Sequence, residues 1–134
     1  MTQTATVDES ESASKGPVAL VSADGEDPAF ASLGASLAEI RKLEGVTGYI
    51  LRGNASALLD LADNDRASQY ALLSYQLGDS CLAISKQVGT AEIESAVAEG
   101  KRLKVLFMKI GENKISVFME KGTSHVWIIK RILI

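Results

Sequence analysis

The run Leu103-Lys-Val-Leu-Phe-Met-Lys-Ile110 constrains the fold more than any other stretch of the chain. Its odd positions (Leu103, Val105, Phe107) and its even positions (Leu106, Met108, Ile110) are both apolar. Alternate side chains of a strand point to opposite faces. This strand therefore needs cover above and below, and belongs near the middle of a sheet with helices on both sides. Its neighbours supply partners. Gly111-Glu-Asn113 turns the chain, and Lys114-Ile-Ser-Val-Phe-Met119 pairs back. Upstream, Gly100-Lys101 reverses a weaker strand over 92–98, with Ile93 and Val97 inward and Glu92 and Glu94 outward.

The helices to cover such a sheet are present. Asp27-Pro28 is a helix start, a cap residue followed by proline at the first helical position. Phe30, Leu33, Leu37, Ile40 and Leu43 follow at helical spacing as one buried stripe, and Gly45 stops the helix. Val46-Thr-Gly-Tyr-Ile-Leu-Arg52 and Ser56-Ala-Leu-Leu-Asp-Leu-Ala62 form a hairpin closed by Gly53-Asn54. The longest helix is expected over 64–89. Asp63 or Asn64 is its N-cap, Asp65 suits its positive start, and Gly89 ends it. Ala67, Tyr70, Ser74, Leu77, Cys81, Ile84 and Val88 form one face, and Ala71, Ser74, Gly78, Cys81 and Ser85 a smaller-grained row beside it. Gly78 in mid-helix costs about 1 kcal/mol relative to alanine. That cost makes sense where another element comes close, either within the subunit or from the same helix of a second copy. Over 125–134 a short helix capped by Ser124, with Val126, Ile129 and Leu133 towards the sheet, is favoured over a strand. The order is α-β-β-α-β-β-β-α. The fold class is α/β (α+β), a five-stranded, mostly antiparallel sheet covered by helices on both faces.

At 134 residues the chain has room for one domain, expected over 27–134. Residues 1–26 are expected to be an acidic, disordered extension. The first 16 are rich in Thr, Ser and acids and offer little to bury. Val18-Ala-Leu-Val21 is an apolar patch that either adds an edge strand or docks on the domain. The net charge of −3 sits in the extension; the domain itself is nearly neutral and shows no nucleic-acid footprint. No apolar run approaches the roughly 18 residues that span a membrane, and the start has no signal-peptide pattern, so a cytoplasmic protein is expected.

One cysteine and one histidine leave no internal disulfide, metal cluster or nucleophile–base set to assemble. No metal, cofactor or enzymatic activity is expected. Cys81 reads as a packed thiol and His125 as a surface or capping residue. Asp60, Asp63 and Asp65 lack the glycine and closing glutamate of a calcium loop. There is no phosphate loop, so the chain should not bind GTP itself. Lys101, Arg102 and Lys104 are either a solvated turn or a contact for an acidic partner or for the chain's own acidic tail. Trp127 is either core or a partner anchor.

The element order, with these lengths, resembles the profilin-like roadblock domain, the family of dynein roadblock-type light chains and prokaryotic regulators of small Ras-like GTPases. The residues carrying the likeness are Leu43-Glu44-Gly45-Val46, Thr47-Gly48-Tyr49-Ile50, Leu77-Gly78-Asp79, and Gly100-Lys101-Arg102-Leu103-Lys104-Val105-Leu106. The resemblance covers about 30–133. It implies a non-catalytic scaffold that pairs as a homo- or heterodimer with another roadblock-type chain and binds a small GTPase. It implies a dimer surface of Tyr70, Ala71, Ser74, Leu77, Gly78 and Cys81 on the long helix with Ile93, Ser95 and Val97 on the following strand. The alternative is a PAS- or GAF-like domain sensing a small molecule, which also places helices around a five-stranded sheet.

Overall fold

The computed structural model describes residues 3–5, 18–22, 28–88 and 94–133. In chain order the elements are β1 (Gln3–Ala5), β2 (Val18–Ser22), α1 (Ala29–Ile40), β3 (Val46–Arg52), β4 (Ala57–Leu61), α2 (Ala67–Val88), β5 (Ser95–Glu99), β6 (Leu103–Ile110), β7 (Asn113–Glu120) and α3 (His125–Leu133). A 3-10 turn at Asn64–Arg66 leads into α2. Every strand pairs antiparallel, in the order β1-β2-β4-β3-β7-β6-β5.

The five expected strands are β3 to β7, and they form the sheet that covering helices require. β2 takes the edge-strand option, pairing Val18 with Leu59 and Leu20 with Ala57. β1 then pairs with β2, so Gln3–Ala5 departs from the expected disorder. The remainder of the expected tail, 1–2, 6–17 and 23–26, lies outside the described residues, as does the Asp27 cap.

β6 and β7 make the two-sided core that the alternation of Leu103–Ile110 demands. On one face Leu106, Met108, Ile115, Val117 and Met119 meet Phe30, Leu33, Leu37 and Ile40 of α1 and Ile128 and Ile132 of α3. On the other, Ile50, Leu61, Val105 and Phe118 lie under Ala67, Tyr70, Ala71 and Leu77 of α2. Fully burying one such side chain contributes about 1.5–3 kcal/mol.

Two turns depend on glycine. Gly45 has φ +93°, and a Cβ there would run into the Thr123 hydroxyl. Gly111 has φ +61° in the β6–β7 turn. α1 ends at Ile40, earlier than its apolar stripe suggests, and Leu43 packs from the following turn.

α3 is a helix, with Ser124 Oγ accepting from the Trp127 amide at 3.2 Å. Its phase differs from expectation: Ile128 and Ile132 are buried, Ile129 partly, while Val126 and Leu133 are exposed. The segment is apolar on several sides, so periodicity alone allowed more than one face.

A buried polar cluster stands beside α1. Arg41 Nε lies 3.4 Å from Asp60 Oδ1, and an Arg41 guanidinium nitrogen donates to the Val46 carbonyl at 3.1 Å. Tyr49 pairs with Asp60 across β3 and β4. Burial first, then the Asp60 carboxylate, push the Tyr49 phenol above its usual 10.0, against the opposing pull of Arg41. The folded state therefore keeps its phenol proton where the unfolded chain has lost it, so stability should fall as pH rises past about 10. Urea midpoints measured from about pH 8 to 11 should show that fall, and Tyr49→Phe should lessen it. Burial also raises the Cys81 thiol above 9.0, which adds a loss of the same sign in either protein.

Candidate functional site

Helix α2 is 22 residues long and apolar on more than one side. Its small-residue row lies on the sheet of its own chain. Tyr70 packs on Phe118 with ring centroids 4.8 Å apart. Ser74 and Ser116 share a hydrogen bond between hydroxyls at 2.6 Å, and both are buried. A Cβ on Gly78 would come within 3.3 Å of the Phe107 ring. Cys81 is buried, and its carbonyl accepts from Ser85 Oγ at 3.0 Å.

Within the subunit the helix residues expected to meet a second copy are placed as follows. Ser74, Gly78 and Cys81 are occupied within the subunit, and Tyr70, Ala71 and Leu77 are partly buried against the same core. A helix laid on a sheet needs small side chains where the two backbones approach, and these residues supply them. Gly78→Leu should therefore destabilise the subunit itself by about 1–3 kcal/mol. A lowered urea midpoint in the variant checks this; an unchanged midpoint would free Gly78 from the core.

Two exposed stripes flank the buried row. Leu72, Tyr75, Asp79, Leu82 and Lys86 form one, at heptad-like spacing. Leu73, Ser80 and Ile84, with the partly buried Leu77 between them, form the other, and it carries no charge. Ile84 is 50 % exposed and Leu72 57 %. Sequence reasoning picked the inner row because Gly78 drew attention to it; the uncharged outer stripe was available from the same periodicity.

β5 is the last strand of the sheet, and its outer edge has no partner strand among the described residues. Ser95, Val97 and Glu99 pair with Met108, Leu106 and Lys104, which puts them on the α1–α3 face. Val97, expected inward, is 37 % exposed because this face is less covered at the sheet margin. Ile93 and Glu92 lie outside the described residues, as does Gly89. Asp63 makes no side-chain cap on the turn before α2.

The expected basic cluster divides. Lys101 and Arg102 are exposed in the β5–β6 turn, but Lys104 is buried with Nζ 3.2 Å from His125 Nδ1. That contact ties the first residue of α3 to the start of β6. Strand alternation carries the signal for it, since Lys104 shares a face with Leu106 and Met108. Trp127 is half exposed, with the Arg131 guanidinium carbon 5.0 Å from its ring centroid. Asp60 is engaged by Arg41, while Asp63 and Asp65 are exposed.

No protein-family profile matches the sequence, and no curated protein matches it. Solved structures do match the fold. MglB of Myxococcus xanthus superposes with a TM-score of 0.61 at 18% identity, over 81% of this chain and 85% of that one. A Roadblock/LC7 domain from Streptomyces avermitilis gives 0.60 at 12%, over 82% and 90%. The gliding protein MglB from Thermus thermophilus gives 0.60 at 15%, over 78% and 83%. The chain has the roadblock fold, and β3 to β7 with the three helices are the α-β-β-α-β-β-β-α order expected from its sequence. Among the described residues no helix is long and apolar enough to cross a membrane.

Proposed function

We propose, with the roadblock fold as premise, that this chain is a non-catalytic dimeric scaffold that binds a small Ras-like GTPase and regulates it. The observation that carries this reading is the uncharged stripe of Leu73, Leu77, Ser80 and Ile84 on α2. Contiguous apolar side chains kept in solvent mark an interaction surface, and heptad-like spacing suits a second helix laid alongside. The natural occupant is the same stripe of a second copy, or of another roadblock-type chain. β5 contributes its open edge, with Ser95 and Val97 beside it.

The GTPase contact falls on the other face of the sheet, on α3. Exposed Trp127 under Arg131, with Lys101 and Arg102 nearby through the Lys104–His125 contact, combines an aromatic anchor with positive charge. Lys104 is not part of this surface. Any stimulation of hydrolysis comes from ordering the GTPase's own residues, because the thiol of Cys81 is buried and His125 is engaged by Lys104.

Immobilised protein tests the reading against Ras-like GTPases from the same cell, each loaded with GDP or a non-hydrolysable GTP analogue. Nucleotide-dependent binding is expected for one of them, and Trp127→Ala should weaken it about tenfold without changing the melting temperature. Equal, unsaturable responses from every GTPase in both nucleotide states would contradict it.

A further inference from the structure

Lys104 is only 5 % exposed, yet among the described residues no carboxylate lies within ion-pair distance of it. Its partner is the imidazole of His125, the first residue of α3, with Nζ 3.2 Å from Nδ1. An ammonium has no lone pair, so Nζ donates and Nδ1 accepts. The contact therefore needs the neutral imidazole, with its one ring proton on Nε2. A proton on Nδ1 would remove the acceptor and set two cations side by side where Lys104 is closed to water. It would also put positive charge at the N-terminal end of α3, where the helix dipole disfavours it.

The surrounding charges give Lys104 a second partner. Glu99 stands directly across the β5–β6 ladder from it, exposed, with Cα atoms about 5 Å away. Glu120 is opposite Leu103 and alternates to the α2 face. Arg102 and Lys121 are exposed cations in the adjoining turns, and Glu44 is exposed after α1. At the end of α1, Arg41 is engaged by Asp60 and Lys42 by Glu39. Lys104 thus has His125 while the imidazole is neutral and Glu99 once it is not.

We propose that His125 is an acid-sensitive latch, whose protonation releases the first turn of α3 from β6 and hands Lys104 to Glu99. Histidine is the side chain that ordinarily changes charge between about pH 5 and 8, and His125 is the single histidine of the chain. The contact is present above the step and lost as pH falls through it. Ile128 and Ile132, farther along α3, keep the helix on the sheet, so the change is confined to its N-terminal turn. The latch stands on the geometry of the subunit alone. Its consequence rests on the GTPase reading above, under which the latched turn holds Trp127 in place and binding weakens through the acid step.

Trp127 is the single tryptophan and lies two residues beyond His125, so its quenching by acrylamide reports on this turn. In the full chain the quenching constant should rise reversibly, by about 1.5-fold or more, as pH falls from about 8 to 5. Lys104→Met places a side chain of similar length among Leu106, Met108 and Met119, and should abolish the step. His125→Asn, whose amide oxygen accepts from Lys104 at any pH, should abolish it too. Glu99→Gln removes the acid-state partner and should move the step to lower pH. A quenching constant that stays flat over that range, or a step that keeps its midpoint and size in Lys104→Met, would overturn the latch. Failure to capture any GTPase at neutral pH counts instead against the GTPase reading, and leaves the expected step unchanged.

Discussion

Alanine at position 48 should destabilise this protein by about 3 kcal/mol, the upper end of what overpacking usually costs. Gly48 lies in β3, between β4 and β7, where the pairing with β7 shifts register after Val46. A Cβ there would stand 2.7 Å from Leu61 Cδ2, 2.8 Å from the Asp60 carbonyl oxygen and 3.0 Å from Leu61 Cα. The leucine methyl can rotate away. The two backbone atoms cannot, so β3 and β4 must separate at the point where their hydrogen bonds hold the sheet. The loss is a large share of the 5–15 kcal/mol that stabilises a typical domain. A thermal melt should fall by roughly 10 °C, and an unchanged melt would mean that β3 and β4 are not so closely apposed.

The second large effect concerns association. Leu73→Lys combined with Ile84→Lys places two charges per copy in the stripe proposed to meet its twin. Burying them unpaired should cost about 4 kcal/mol, roughly a thousandfold in dissociation constant. Both side chains are already substantially exposed in the subunit, so its own stability should change little. Light scattering at fixed concentration should show the double variant as monomer, with a melting curve set only by the subunit. Gly78→Leu is the contrasting variant, since it perturbs the subunit core directly. A double variant that stays as associated as the wild type would remove the stripe from the interface.

How much of this was legible beforehand differs element by element. Leu103–Ile110, apolar on both faces, had only one comfortable place, and β6 occupies it next to β7. α1 was equally plain, because its apolar residues fall in one narrow stripe with polar residues elsewhere. α2 and α3 were recognisable as helices, but their rotation was not. Each carries apolar side chains on several sides, so the 3.6-residue period admits more than one buried face. Contacts distant in sequence chose the face: Ser74 with Ser116, Gly78 with Phe107, and the packing of Ile128 and Ile132. Lys104 was grouped with its charged neighbours, although its place in the alternation of β6 already put it with Leu106. β1 was hidden because its strand rests on backbone pairing that composition does not report. The register that sets Arg52 against Lys114 and Lys114 against Lys109 was hidden for a related reason. Each residue stands near a turn glycine, and only the strand register brings the three together.

Sedimentation equilibrium of the unmodified chain at micromolar to submillimolar concentration tests the central claim most directly. The account predicts a species of about 28 kDa, twice the 14.2 kDa of one chain, dissociating only on dilution. A single 14.2 kDa species across that whole range would contradict it.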